Sequence, residues 1–122
     1  MCGVIGLVTT SLLQESEVEG RVRQAMRLLR HRGPDDQGLY QDRNVWLAHA
    51  RLSILDLSTA GHQPMQSACG RFAISYNGEV YNFRELAAQY GLNSLRSGSD
   101  TEVVLHLYEE MGERMFERAR AA

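Results

Sequence analysis

The sequence predicts an α+β domain, and three observations carry that expectation. The run Gly3 to Thr10 is apolar and partly β-branched, the mark of a short buried strand. From Glu17 to Arg30 the apolar residues Val18, Val22, Ala25, Met26 and Leu29 recur at helical spacing among Arg and Glu, as in an amphipathic helix lying on a core. Strand patterns then return at Leu39 to Gln41 and Val45 to Leu52, with Asp42-Arg43-Asn44 as the hairpin turn. A length of 122 residues suits one domain.

The remaining elements follow in order. Ser11 to Glu15 is a polar connection, and His31 to Gly38 is a tight loop because Gly33 and Pro34 stop the first helix. Asp56 to Ser67, rich in Ser, Thr, Gly, Gln and Pro, reads as a long loop of the kind that often carries function. Arg71 to Tyr76 alternates Phe72, Ile74 and Tyr76 with smaller residues, as a strand does. A helix over Phe83 to Tyr90 is expected to be capped by Asn82, with Glu85 completing a capping box, and to stop at Gly91. A last helix starts at Ser99 or Asp100 and buries Val103, Val104, Leu107, Tyr108 and Met111; Ser99 and Glu102 form its capping box. Gly112 ends it, and Glu113 to Ala122 reads as a polar, weakly amphipathic tail.

Composition removes several functions. A formal net charge of -2 gives no electrostatic reason to propose nucleic acid or an acidic membrane surface. All 13 basic residues are Arg, so this chain offers neither a Walker-type phosphate loop nor a Schiff-base lysine. Val4 to Val8 is too short for a signal-peptide core, and no segment approaches the roughly 20 apolar residues a membrane span needs. Two cysteines without a secretion signal point to free thiols in the cytoplasm, with Cys69 a passive one near a turn.

Candidate chemistry begins at Met1-Cys2-Gly3. With Met1 removed, Cys2 carries a thiol nucleophile and an α-amine that serves as its base, a known route to covalent catalysis. Asn77-Gly78 after a strand is more often a turn, but an Asn amide and a Gly N–H also make a natural pair of oxyanion donors. Arg51 suits a bidentate carboxylate pair, although a lone Arg is more often a surface ion-pair partner. Glu79 and Asp100 suit an ammonium group; their bland alternatives are a solvated turn and a helix cap. His31, His49, His62 and His106 lack metal-ligand spacing, so structural or surface roles are expected and no metal site is proposed. Ser97-Gly98-Ser99-Asp100 looks like a pyrophosphate loop but lacks its second Gly, and is rejected as a nucleotide site.

Together these blocks carry a resemblance. Met1-Cys2-Gly3-Val4-Ile5-Gly6, His31-Arg32-Gly33-Pro34-Asp35 with Gly38, Leu47 to Asp56, Gly61-His62-Gln63-Pro64-Met65, Tyr76 to Asn82 and Ser97 to Glu102 fall in order across nearly the whole chain. In that pattern the chain resembles the class II glutamine amidotransferases, the N-terminal nucleophile glutaminases, and within them the glutaminase domain of asparagine synthetases. Pro34 in the Arg-Gly-Pro-Asp loop favours that branch.

The resemblance implies a four-layer αββα sandwich in which Cys2 attacks the side-chain amide of L-glutamine while its α-amine shuttles the proton. It implies oxyanion donors at Asn77 and Gly78, and Arg51 on the substrate α-carboxylate. Glu79 and Asp100 would take the α-ammonium and amide nitrogen, with the backbone around Leu52, Ile54 and Leu55 lining the pocket. No cofactor is expected in this chain; ATP and Mg belong to the synthetase domain the family carries further along. After Gly112 the chain departs from the family, which continues into more β structure. That departure leads us to expect a sandwich incomplete at the C-terminus, and a homodimer or another chain covering the exposed face. The rival functions are a remnant that binds glutamine or a partner without turnover, and an N-terminal-Cys hydrolase of another amide.

Overall fold

The computed structural model describes residues 1–10, 14–53 and 57–121. The described residues form mixed α and β structure with antiparallel sheets, divided between two compact units. The first holds residues 1–53, 62–64 and 75–77, and the second the remainder.

In the first unit, β1 (Gly3–Val8), β2 (Asp36–Asp42) and β3 (Val45–Arg51) build a three-stranded sheet in the order β1-β3-β2. β3 is central and antiparallel to both neighbours, with Gly3 opposite Ala50 and Asp36 opposite Arg51. The hairpin turn falls where the polar Asp-Arg-Asn predicts it, with Arg43 at a φ of 51°. β2 starts at Asp36, three residues before the strand read from the pattern. The loop after Gly33-Pro34 is therefore shorter than expected, since full pairing along β3 captures Asp36, Gln37 and Gly38.

Helix α1 (Glu15–Leu28) lies on one face of this sheet. Its stripe of Val18, Val22 and Met26 is buried and forms the core with Trp46 and Ala48, flanked by Ile5, Leu7 and Leu39. Burial of such side chains stabilises by about 1.5–3 kcal/mol each. The exposed pairs Glu17–Arg21 and Glu19–Arg23, both 2.6 Å, add at most about 0.5 kcal/mol each. Apolar packing therefore holds α1 in place.

In the second unit, β4 (Met65–Gln66) pairs with β5 (Ala73–Ile74), and α2 (Phe83–Gln89) and α3 (Asp100–Met111) complete the framework. The strand expected over residues 71–76 shrinks to two residues. Only two residues of β4 face it, and the Phe72 N–H turns to Ser67 Oγ at 3.2 Å. Phe72 then meets Tyr108 edge-on, ring centroids 5.4 Å apart. α3 buries Val103, Val104, Leu105 and Leu107, whereas Tyr108 and Met111 of the expected stripe are only half-buried.

Both capping boxes differ from expectation. Asn82 stands at the N-cap of α2 without capping it; its Nδ2 donates to Arg118 O and its Oδ1 accepts from Arg120 N–H. Ser99 does cap α3 by accepting from Thr101 N–H at 3.1 Å. Glu102 does not close that box, because its carboxylate accepts from Arg96 N–H, Ser97 N–H and Ser97 Oγ–H at 2.9, 2.7 and 2.6 Å. Burial pushes this carboxyl up, but those bonds and the Arg96 charge more than offset it and hold its pKa below the usual value. The C-terminal segment is not a free tail. A 3-10 helix, Gly112–Glu117, buries Met115, Tyr81 N–H donates to Arg120 O, and Val80 bridges Ala121.

No described helix is long and apolar enough to cross a membrane.

Two glycines of the first unit sit where no side chain fits. A Cβ on Gly33 would overlap the Ala50 carbonyl, and one on Gly38 would overlap the Gln63 carbonyl, whereas one on Gly6 meets nothing nearer than Leu47 Cδ2 at 3.9 Å. We predict that Gly33→Ala and Gly38→Ala each lower unfolding free energy by about 2 kcal/mol or more, the cost of overpacking against backbone. Gly6→Ala should stay within about 0.5 kcal/mol of wild type. Urea titrations of the three variants decide it.

Candidate active site

Residues directly opposite in an antiparallel pair share a face, and faces alternate along each strand. Gly3, Ala50 and Ala48 turn toward α1, so His49 and Arg51 of β3, with Asp36 and Gly38 of β2, occupy the other face. One residue beyond β1, Cys2 joins that second face. That second face carries polar groups at Cys2, Asp36, His49 and Arg51 among the apolar Val4, Leu47 and Val45.

Cys2 Sγ accepts the Leu52 N–H at 3.3 Å and lies 3.6 Å from Leu52 O, within reach of donating its own proton. The thiol is thereby anchored at the C-terminal end of β3, beside Arg51. That end is gripped from the other side by the Gly-Pro-Asp loop. Asp35 N–H donates to Arg51 O at 3.0 Å, and Asp35 Oδ2 accepts the Ser53 N–H at 2.8 Å. Gly33 packs directly on the Ala50 carbonyl. Arg51 itself is only 7% exposed, which removes the surface ion-pair alternative for it.

His49 is buried at 1% exposure. Its Nδ1 lies 3.0 Å from Ser75 Oγ, which in turn reaches Ala48 O at 3.4 Å. If Ser75 donates to that carbonyl, its oxygen accepts from Nδ1–H, and a neutral imidazole is then the Nδ1–H tautomer. Burial, then the Arg51 charge, lower the His49 pKa to about 4; His62 adds to the drop and Asp36 opposes it. His62 Nδ1 meets Asp36 Oδ2 at 2.6 Å, and Gln63 Oε1 accepts the Tyr76 N–H at 2.7 Å.

Of the site residues expected from sequence, Cys2, Arg51, Leu52 and Asn77 belong to this unit; the structure joins Cys2 to the Leu52 backbone and leaves Asn77 exposed. Gly78, Glu79 and Asp100 belong to the second unit. There Asp100, 5% exposed and in the first turn of α3, accepts the Val80 N–H on Oδ2 at 2.8 Å. Ile54 and Leu55, expected to line the pocket, lie outside the described residues. Sequence reasoning expected a structural or surface role for His49 and missed Asp35 and Gln63 as parts of the framework. Their signals were present in the Gly-Pro-Asp and His-Gln-Pro blocks.

The family model for the glutamine amidotransferase domain matches residues 1–121. The chain belongs to that family. Among proteins similar to this glutamine amidotransferase domain are three glutamine-hydrolyzing asparagine synthetases. The Zea mays enzyme is 44% identical over 116 residues, covering 93% of this chain and 19% of that protein. Asparagine synthetase 1 of Arabidopsis thaliana is 42% identical over 113 residues, 92% of this chain and 19% of its own. Asparagine synthetase B of Escherichia coli K12 is 41% identical over 113 residues, 92% and 20%. The domain therefore spans about a fifth of the length of these relatives.

The buried neutral His49 makes stability depend on pH. Its native pKa lies below its ordinary value of 6.5, so the unfolded chain binds the proton first and stability falls as pH drops from 6.5 toward 4. Between pH 7 and pH 5 the loss should be about 2 kcal/mol. Glu102 contributes little in that window, because its stabilisation is lost only below the ordinary carboxylate pKa of 4.5. Urea unfolding at the two pH values should show the drop, and His49→Gln should remove most of it.

Proposed function

We propose that this domain hydrolyses L-glutamine to glutamate and ammonia with Cys2 as the nucleophile. The observation that carries the proposal is the anchoring of Cys2 Sγ on the Leu52 backbone, beside the buried Arg51, in a glutamine amidotransferase domain. Met1 is 74% exposed, so its removal meets no steric obstacle. Once it is gone, the Cys2 α-amine takes the thiol proton and Sγ attacks the glutamine side-chain carbonyl carbon. Asn77 Nδ2 and the Gly78 N–H would stabilise the oxyanion, each such donor being worth about 3–4 kcal/mol of barrier.

The carbon–nitrogen bond then breaks, and ammonia leaves with the proton the α-amine returns. Water adds to the remaining thioester, its proton passing to the same amine, and glutamate is released with the thiol restored. Arg51 takes the substrate α-carboxylate, Glu79 and Asp100 its α-ammonium, and the backbone around Leu52, Ile54 and Leu55 lines the pocket. We place the domain in the four-layer αββα sandwich architecture.

None of these steps needs a metal or organic cofactor. The names of the relatives couple glutamine hydrolysis to asparagine synthesis, and we propose that the ammonia passes to a carboxylate activated by ATP and Mg in a synthetase domain. We place the reaction in the cytoplasm, where a nucleophilic thiol stays reduced.

Glutamate release from glutamine, measured with intact mass confirming Cys2 as first residue, is the test. Cys2→Ala should abolish release, while Cys69→Ala, an exposed thiol, should leave it unchanged. Arg51→Ala should raise KM for glutamine about 10- to 100-fold, the worth of a charged hydrogen-bonded pair. A Cys2→Ala variant as active as wild type would sink the proposal.

A further inference from the structure

Resting on the glutaminase reading, we propose that Gln63 is a positioning residue for the oxyanion donor Asn77. Asn77 is exposed and follows a stretch without strand pairing, since β5 ends at Ile74. Exposed backbone of that kind is free to reorient unless something outside the ladder holds it. The Tyr76 N–H, one residue before Asn77, is held by the side-chain oxygen of Gln63 at 2.7 Å.

Gln63 can do this because it is itself fixed. It is 7% exposed, and its backbone carbonyl packs on Gly38 so closely that any Cβ there would overlap it. Its neighbour His62 is tied to Asp36, two residues before Gly38 on the same strand. On the preceding residue, Ser75 Oγ is tied to His49 of the central strand. All these groups lie in the unit that carries Cys2. The sheet thus holds Gln63, and Gln63 sets the direction in which the chain enters Asn77. An oxyanion donor must be aligned within fractions of an ångström at the transition state, where misplacement by about 1 Å costs up to about 100-fold in rate.

The test pairs kinetics with amide exchange. Gln63→Met keeps the volume and removes the acceptor. We expect kcat for glutamine hydrolysis to fall about 10- to 100-fold while KM stays within about threefold, because the interaction serves the transition state. Cys2 alkylation by iodoacetamide, which needs no oxyanion donor, should proceed at the wild-type rate. In an Asn77→Ala background, Gln63→Met should cost little more, since the donor it positions is gone. Additive losses in the double variant overturn the inference, as does an unchanged kcat in Gln63→Met. The wild-type protein supplies a test that needs no variant: its Tyr76 amide should exchange at least about tenfold more slowly than open chain, and exchange at the open-chain rate overturns the proposal. Absence of hydrolysis in wild type with Cys2 exposed would instead refute the glutaminase reading, and with it the catalytic consequence drawn here.

Discussion

The structure of the first unit depends on the C-terminal end of β3. Within four residues, 50–53, the backbone there meets Gly33 at Ala50 O, Asp35 N–H at Arg51 O, Cys2 Sγ at Leu52 N–H, and Asp35 Oδ2 at Ser53 N–H. Every one of these partners is distant in sequence. Cys2 is therefore not a loose terminus but a residue seated on backbone that two separate segments hold. Hydrogen bonds of this kind contribute only about 0.5–1.5 kcal/mol each, yet leaving a buried one unmade costs more, so the arrangement is set mainly by the penalty for disrupting it. Gly33 tolerates no side chain for a separate, steric reason: a Cβ there would overlap the Ala50 carbonyl.

Strand parity in the three-stranded sheet turns Ile5, Leu7, Leu39, Ala48 and Ala50 toward α1 and sets Arg51, His49 and Asp36 on the other face, with the apolar Val4 and Leu47 among them. Burying His49 there costs the charged form of the imidazole, which is the main reason its pKa falls to about 4. A cationic imidazole beside Arg51 would set two positive charges side by side, which is the second cause of the drop.

The sequence made α1, the β2–β3 hairpin and α3 legible because each repeats a simple period: Val18, Val22 and Met26 at helical spacing, or apolar alternation around Asp-Arg-Asn. It did not show how polar side chains would be used. Asn82 and Glu102 have the residue types and spacing of capping boxes, yet both turn to more distant backbone. Arg118 O and Arg120 N–H claim one, and the N–H groups of Arg96 and Ser97 claim the other. Local spacing cannot reveal a competitor 36 or 38 residues away in the chain. The same limit shortened the strand read over residues 71–76, since pairing depends on the partner's length as well as on alternation. For the site, Cys2, Arg51 and Asn77 were readable as residue types, whereas Gln63 and Asp35 were not, because their work is done through backbone groups of other segments.

Asp100 shows what such backbone work means for a buried carboxylate. The residue sits in the first turn of α3, where the helix dipole favours negative charge, and its Oδ2 holds the Val80 N–H. A carboxylate has two oxygens with about four acceptor sites, so one backbone bond leaves capacity for an ammonium donor. The bond also fixes the plane of the carboxyl group, which a freely rotating surface Asp would have to lose entropy to achieve on binding. Val80 follows Glu79 directly, so the same bond that orients Asp100 also constrains the chain at Glu79. The structural role of Asp100 is thus compatible with the substrate role proposed for it.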